Sequence, residues 1–232
     1  MKQAKPKILV ADKVSAECLK ILADGGLNVS VATGLSPKDL ARRLTAADGV
    51  IVRSATKIRA DVLSAKTKIK VIGRAGIGVD NIDIDAASEL GIVVLNTPDA
   101  NATTTAELAL AHLFSISRNL PAADASVRAG KWERSKFVGS EISGKTVGVL
   151  GFGTIGKIIA HKCRALGLQV LVCDPFVADE VVSEAGFEPH DLTSMLGLCD
   201  YLTIHAPLTK DTIGLIGKRE LAKMKPSAYL LH

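Results

Sequence analysis

The sequence predicts an α/β protein with two consecutive parallel sheets, and three observations predict it. Short apolar runs alternate with helical segments from Ile8 to Leu231, the rhythm of strands joined by helical crossovers. A longer helical stretch over 102–130 interrupts that rhythm. A G-x-G-x-x-G turn, Gly151-Phe152-Gly153-Thr154-Ile155-Gly156, follows one apolar run in the second half and opens a helix.

The elements of the first half follow in order. Ile8–Ala11 is a buried strand. Residues 15–23 carry Leu19 and Leu22 at helical spacing, and Gly25-Gly26 stops that helix. Leu27–Val31 is a strand. Ser36-Pro37-Lys38-Asp39 starts a helix, with serine as N-cap, proline in the first turn and an acid three residues after the cap. Val50–Val52 and Lys70–Ile72 are strands. A helix over 83–90 ends at Gly91, and Ile92–Leu95 closes the first sheet. Residues 102–118 then form a long helix, with Thr104 and Glu107 spaced as a capping box, and Pro121 opens another that Gly130 closes. This pair is read as either a packed linker or a subunit-contact arm.

The second half repeats the pattern. Thr146–Leu150 is a strand, 154–166 a helix ended by Gly167, and Gln169–Cys173 a strand. A weak helix spans 178–185. Tyr201–His205 is a strand, 217–224 a helix and Ala228–Leu231 a last strand. The expected division is a domain over 1–98 and a second over 99–232, the latter carrying the helical arm at about 102–130.

Composition narrows the class. Hydrophobic residues make up 47% and aromatics only 3%, so the cores are aliphatic. The net charge of +5 comes from lysines and arginines scattered among acids, which argues against nucleic acid as partner. Cys18, Cys163, Cys173 and Cys199 show no Cys-x-x-Cys spacing and read as small core residues in a reducing compartment; no metal is expected. The N-terminal strand is too short for a signal-peptide core, and no apolar run approaches a membrane span. The reading is a soluble, cytoplasmic protein.

The glycine turn is the most specific motif. Gly151 permits the tight strand-to-helix turn, Gly153 lets a pyrophosphate approach the backbone, and Gly156 lets the helix pack against the sheet. The helix N-terminus meets the phosphate charge. Asp174 ends the next strand, where its carboxylate accepts hydrogen bonds from the adenosine ribose. A 2′-phosphate there meets a negative charge, so NAD is favoured over NADP. Two other loops follow strands. Gly73-Arg74-Ala75-Gly76-Ile77-Gly78 lacks the third fingerprint glycine, and reads either as an anion site using Arg74 and backbone N–H groups or as a tight turn with a surface arginine. Arg53-Ser54-Ala55-Thr56-Lys57 offers a guanidinium, hydroxyls and an ammonium at a strand's carboxyl end, suited to a carboxylate or phosphate; a solvated loop is the alternative.

Together these stretches resemble the D-isomer-specific 2-hydroxyacid dehydrogenase family, in particular its members acting on 3-phosphoglycerate. The resemblance rests on I-V-R-S-A-T-K (51–57), V-I-G-R-A-G-I-G-V-D-N-I-D (71–83), A-E-L-A (106–109), A-D-A-S-V-R-A-G-K-W-E-R (123–134), G-K-T-V-G-V-L-G-F-G-T-I-G (144–156), C-D-P (173–175) and H-A-P-L-T (205–209), and covers essentially the whole chain. It implies a flavodoxin-like substrate lobe followed by a Rossmann NAD-binding domain, with the helices at 102–130 as the arm of a homo-oligomer. By carry-over, Arg53 and Ser54 hold the charged groups of a phosphorylated 2-hydroxy acid, and Arg74, Gly76 and Asn101 line the cleft. Thr154 and Ile155 cradle the pyrophosphate with Ala206 nearby, beside Gly151, Gly153, Gly156 and Asp174. Ala100-Asn101 departs from the more usual Gly-Asn, and His232 from a small polar residue.

The implied reaction is NAD-dependent oxidation of 3-phosphoglycerate to 3-phosphohydroxypyruvate, the entry to serine biosynthesis. The alternatives are a dehydrogenase of another D-2-hydroxy acid and a non-catalytic NAD(H)-binding sensor or corepressor. The family's catalytic arginine, glutamate and histidine are expected beyond His232. The chain is therefore expected to be a C-terminally truncated, catalytically inactive piece, and His205 is read as a cofactor-side residue rather than a base.

Overall fold

The computed structural model describes residues 4–64 and 66–232. The chain divides into two compact units, residues 1–101 and 102–232.

In the first unit, β1 (Lys7–Val10), β2 (Asn28–Val31), β3 (Gly49–Val52), β4 (Val71–Arg74) and β5 (Val93–Asn96) form one parallel sheet in the order β2-β1-β3-β4-β5. That order is flavodoxin-like, with the switch point between β1 and β3. The helices α1 (Ala16–Asp24), α2 (Pro37–Leu44) and α3 (Ile84–Glu89) make crossovers. Their starts are set by short polar side chains that accept from orphan N–H groups: Ser15 from Cys18, Ser36 from Asp39 and Asp83 from Ala86. Leu40 and Leu44 of α2 are buried with Leu9, Val50, Val52 and Ile72 of the sheet. The aliphatic composition thus becomes a core without a single aromatic ring.

The second unit begins with α4 (Ala102–Ser117) and α5 (Leu120–Arg128), then a single 3₁₀ turn at Arg134–Phe137. Its sheet contains β6 (Thr146–Leu150), β7 (Gln169–Cys173), β8 (Glu188–Pro189), β9 (Tyr201–Ile204) and β10 (Tyr229–Leu231), all parallel, in the order β10-β9-β6-β7-β8. Renumbered within the unit this is 3-2-1-4-5, the Rossmann order, and it places Tyr229–Leu231 in the fifth position beside β9. The crossovers are α6 (Thr154–Ala165), α7 (Asp179–Glu184), α8 (Leu192–Leu198) and the short α9 (Lys218–Leu221). Both sheet faces are buried, as a parallel sheet requires. Val147 and Val149 pack with Ala106 and Leu113 of α4 and Ile159 and Cys163 of α6, while Leu150 and Leu202 pack with Met195, Leu196 and Cys199 on the other face.

Four expectations change. Thr104 lies inside α4, so Thr104 and Glu107 are not a capping box. The helix expected over 217–224 is only Lys218–Leu221, although its Glu220 carboxylate does accept from the Gly217 N–H. The sequence reading missed α8, a seven-residue helix capped by Asp191. Cys18 is only half-buried on α1, whereas Cys163, Cys173 and Cys199 are core residues; all four are free thiols. Among the described residues, no helix is long and apolar enough to cross a membrane, and no cluster could hold a metal ion.

Candidate functional site

The glycine turn sits at the carboxyl end of β6, next to the crossing to β9, where open α/β sheets bind ligands. Its three glycines have different physical reasons. Gly151 has φ +96°, and a Cβ there would lie 2.6 Å from the Ala206 nitrogen and 2.7 Å from the His205 carbonyl carbon. Three chain segments converge at that point, because Gly151 N–H also donates to the Cys173 carbonyl at 2.8 Å and His205 N–H to the Leu150 carbonyl at 2.7 Å. Gly156 lies in the first turn of α6, where a Cβ would sit 1.9 Å from the Gly151 carbonyl oxygen. Gly153 differs from both: a Cβ there meets nothing within 4 Å. It is also the N-cap of α6, and no side chain caps the helix. The N–H groups of Thr154, Ile155 and Gly156 lack intrahelical partners by position, and the space beside Gly153 is open, as a pyrophosphate needs.

Asp174 follows β7 and is half-buried. One carboxylate oxygen accepts from Phe152 N–H of the glycine turn at 2.7 Å and the other from Phe176 N–H at 2.9 Å. Each oxygen keeps a lone pair for a further donor, so the carboxylate is oriented without being saturated. Beside it opens a cavity of about 420 Å³, walled by Leu150, Val172, Cys173, Pro175, Val182, Pro189 and Leu215 and by the polar groups of Asp174, Asp179, His190 and Asp191. A largely apolar slot with a few polar groups is the usual form of a small-molecule site. Burial, followed by the charges of Asp174 and Asp191, pushes the Cys173 thiol up to about 11, which leaves it a wall residue without thiolate character.

Ala206 follows His205 just beyond β9. Thr203, buried in the strand, and the His205 imidazole share a hydrogen bond of 2.8 Å at Nε2. Burial and, less strongly, the charge of His232 lower the His205 pKa to about 4. His205 is thus a neutral imidazole bonded to a hydroxyl; no acid orients it as a general base.

In the first unit, the structure brings Arg53, Ser54, Arg74 and Gly76 to the carboxyl ends of two adjacent strands. Arg53 and Ser54 follow β3 and are exposed. The Arg53 guanidinium donates to the Lys13 carbonyl at 3.3 Å. Arg74 ends β4, and its guanidinium folds over Gly76, where a Cβ would collide with Nη1. Gly76 therefore provides the space that Arg74 fills. Asn101 ends the unit, just ahead of α4.

Two residues that shape this region escaped the sequence reading. Asp12, buried, accepts from the backbone N–H groups of Arg53 and Thr56 at 2.6 and 3.1 Å and from the Thr56 hydroxyl at 2.7 Å. Asn81, also buried, donates to the carbonyls of Arg53 and Thr56 at 2.8 and 2.7 Å. The R-S-A-T-K loop is held from both sides and presents Arg53 and Ser54 outward. The position of Asp12 two residues past β1 was a usable signal; nothing local marked Asn81 as its counterpart.

Residues 110–232 match the family model described as "D-isomer specific 2-hydroxyacid dehydrogenase, NAD binding domain". A curated relative named D-3-phosphoglycerate dehydrogenase, from Archaeoglobus fulgidus, is 46% identical over 97% of this chain. The chain spans 43% of that relative's length. Among solved structures, the cofactor (NAD+)-bound 3-phosphoglycerate dehydrogenase of Entamoeba histolytica is similar with a TM-score of 0.81 and 31% identity, covering 98% of this chain and 71% of that one. An acyclic imino acid reductase in complex with NADPH and D-Arg is similar with a TM-score of 0.87 and 25% identity, covering 97% and 73%.

Proposed function

The chain belongs to the D-isomer specific 2-hydroxyacid dehydrogenase family, with NAD as its coenzyme, and on that premise we propose that it serves the NAD-dependent oxidation of 3-phosphoglycerate to 3-phosphohydroxypyruvate. The observation that carries the reading is the glycine turn with Asp174 on its 3-2-1-4-5 sheet. The choice of substrate is supported by the curated relatives, which carry the name D-3-phosphoglycerate dehydrogenase at 42–46% identity, and by two arginines on adjacent strand ends of the first unit. The reaction is the first of serine biosynthesis, and the free cysteines fit a cytoplasmic setting.

The chain's own residues divide the work. The N–H groups at the start of α6 hold the pyrophosphate through the open face at Gly153. Asp174 accepts from the ribose hydroxyls while Phe152 and Phe176 hold its carboxylate in place. Ala206 and His205 supply backbone beside the turn. The bound NAD supplies the hydride acceptor. Arg53 and Ser54 take the substrate's charged groups, with Arg74, Gly76 and Asn101 beside them; a phosphate and a carboxylate suit two guanidiniums. His205 is bonded to a hydroxyl and not to an acid, and His190, beside Glu188 at the end of β8, stands in the wall of the coenzyme cavity, so the 232-residue chain by itself is expected to bind coenzyme without turnover.

The test is a pair of measurements: NADH fluorescence titration of the 232-residue chain, and NADH formation from 3-phosphoglycerate by the longest chain its gene encodes. Binding in the first and turnover in the second are expected. Turnover only with another 2-hydroxy acid would reassign the substrate, and binding without any turnover would favour the sensor reading.

The arm is proposed to join two copies of the chain. A groove of about 600 Å³ runs between α4, α5 and the 3₁₀ turn, lined by Phe114, Leu120, Val127, Trp132 and Phe137. Trp132 is 76% exposed there, and Leu120 and Val127 of the same groove are exposed, an apolar patch of the kind that marks a protein–protein contact. Light scattering is expected to give a dimer for the wild type and a monomer for Trp132→Glu; an unchanged dimer would place the interface elsewhere.

A further inference from the structure

We infer that the coenzyme pocket rejects a 2′-phosphate through three carboxylates, Asp174, Asp179 and Asp191, so that exchanging Asp174 alone does not convert the site to NADP. This rests on the coenzyme reading above and deepens it. All three residues line the one 420 Å³ cavity, and no lysine or arginine lines it with them. The one nitrogen base in the wall is His190, whose buried Nε2 lies 2.9 Å from the Glu188 carboxylate in a geometry that makes no hydrogen bond.

The three acids reach the cavity from three different elements. Asp174 follows β7, Asp179 is the first residue of α7, and Asp191 is the N-cap of α8. Asp191 is held ionised: its two oxygens accept from the Ser194 hydroxyl at 2.6 Å and the Ser194 N–H at 3.0 Å, which lowers its pKa. None of the three has an ion-pair partner among the described residues. Each therefore keeps its field across the cavity.

The size of the cavity makes those fields count. A space of this volume is on the order of 9 Å across, about one Debye length at physiological salt, so the exposed Asp179 and Asp191 act on a charge inside it with a force that salt weakens without abolishing. A 2′-phosphate carries close to two charges at neutral pH. NADH has only a hydroxyl there, and the two coenzymes share their pyrophosphate, so the acids tell them apart through the 2′-phosphate. The same overall fold accepts NADPH in the imino acid reductase, so the pocket wall, and not the architecture, sets the choice.

The test uses the 232-residue chain and reads binding alone, by NADH and NADPH fluorescence titration. Four chains are compared: wild type, Asp174→Ser, Asp179→Asn/Asp191→Asn, and all three substitutions together. Asparagine caps helices as well as aspartate does, so α8 keeps its start. Asp174→Ser alone is expected to leave NADPH binding at least about tenfold weaker than the triple variant's, with the gap narrowing as salt is raised. If Asp174→Ser binds NADPH as tightly as the triple variant does, or if the gap is insensitive to salt, the inference is overturned. A wild-type chain that binds neither coenzyme overturns the coenzyme reading and this inference with it.

Discussion

Alanine at position 156 is expected to destabilise the second unit by at least about 2 kcal/mol, whereas alanine at position 153 should leave its stability unchanged and still abolish NADH binding. The two glycines are three residues apart in one motif. A methyl at 156 is driven 1.9 Å from the Gly151 carbonyl oxygen, so α6 has to lift from β6 by more than an ångström. The better helix propensity of alanine returns about 1 kcal/mol of that cost. A methyl at 153 meets nothing within 4 Å, and the backbone there, at φ −75° and ψ −163°, is open to any residue. It would fill the space through which, on the proposed reading, a pyrophosphate reaches the helix N-terminus. Urea unfolding and NADH titration on the two variants separate the cases. A Gly153→Ala chain that binds NADH normally would show that the phosphate does not approach by that face.

Acid is expected to weaken the second unit through His205. The unfolded chain takes up a proton near the ordinary histidine pKa of 6.5, while the folded chain does so only near 4, because burial disfavours the imidazolium and His232 adds a repulsive charge. The unfolded state therefore binds more protons in this window, and stability falls as pH falls. The contribution is complete above about pH 6.5 and is lost between there and about pH 4. The full shift corresponds to about 3 kcal/mol, and water reaching the partly open ring reduces this to roughly 1–2 kcal/mol. A His205→Asn chain, with no proton to take up, should lose that much less than the wild type on going from about pH 7 to about pH 4.5 in urea melts. Parallel curves for the two chains would mean that the imidazole is reached freely by water in both states.

Much of this architecture was legible because its punctuation is local. Ser15, Ser36 and Asp83 cap the helices they precede, and Gly26, Gly91 and Gly167 take the positive φ that ends helices. The apolar runs between them became the strands, and the turn at 151–156 fell where strand and helix meet. The failures share one cause, which is that the deciding interaction is distant or shared. Thr104 and Glu107 have the spacing of a capping box, but the helix had already begun at Ala102, so the spacing carried no terminus. The segment 192–198 holds glycine and β-branched threonine, poor helix formers, yet folds as α8 because Met195 and Leu196 are buried under β6 and β7. The bracing of the Arg53 loop depends on partners 41 and 28 residues away in Asp12 and Asn81. No short-range pattern encodes such a pair.

The strand that carries the glycine turn also has a history in time. β6 lies at the centre of its sheet, between β7, which follows it closely in sequence, and β9, which does not. The hydrogen bond from Thr146 N–H to the Asp200 carboxylate spans 54 residues. On a ribosome adding about 5–20 residues per second, one edge of β6 therefore waits roughly 3–10 seconds for its neighbour. Through that interval Val147 and Val149 stand beside an unpaired row of backbone groups, the kind of surface on which nascent chains adhere to one another. Slowing translation within 151–200 lengthens the exposure, and a chaperone that shields extended apolar segments shortens its effect. The coenzyme turn is consequently among the last features of the unit to take shape, since Gly151 acquires its neighbour Ala206 only when the strand before it has docked.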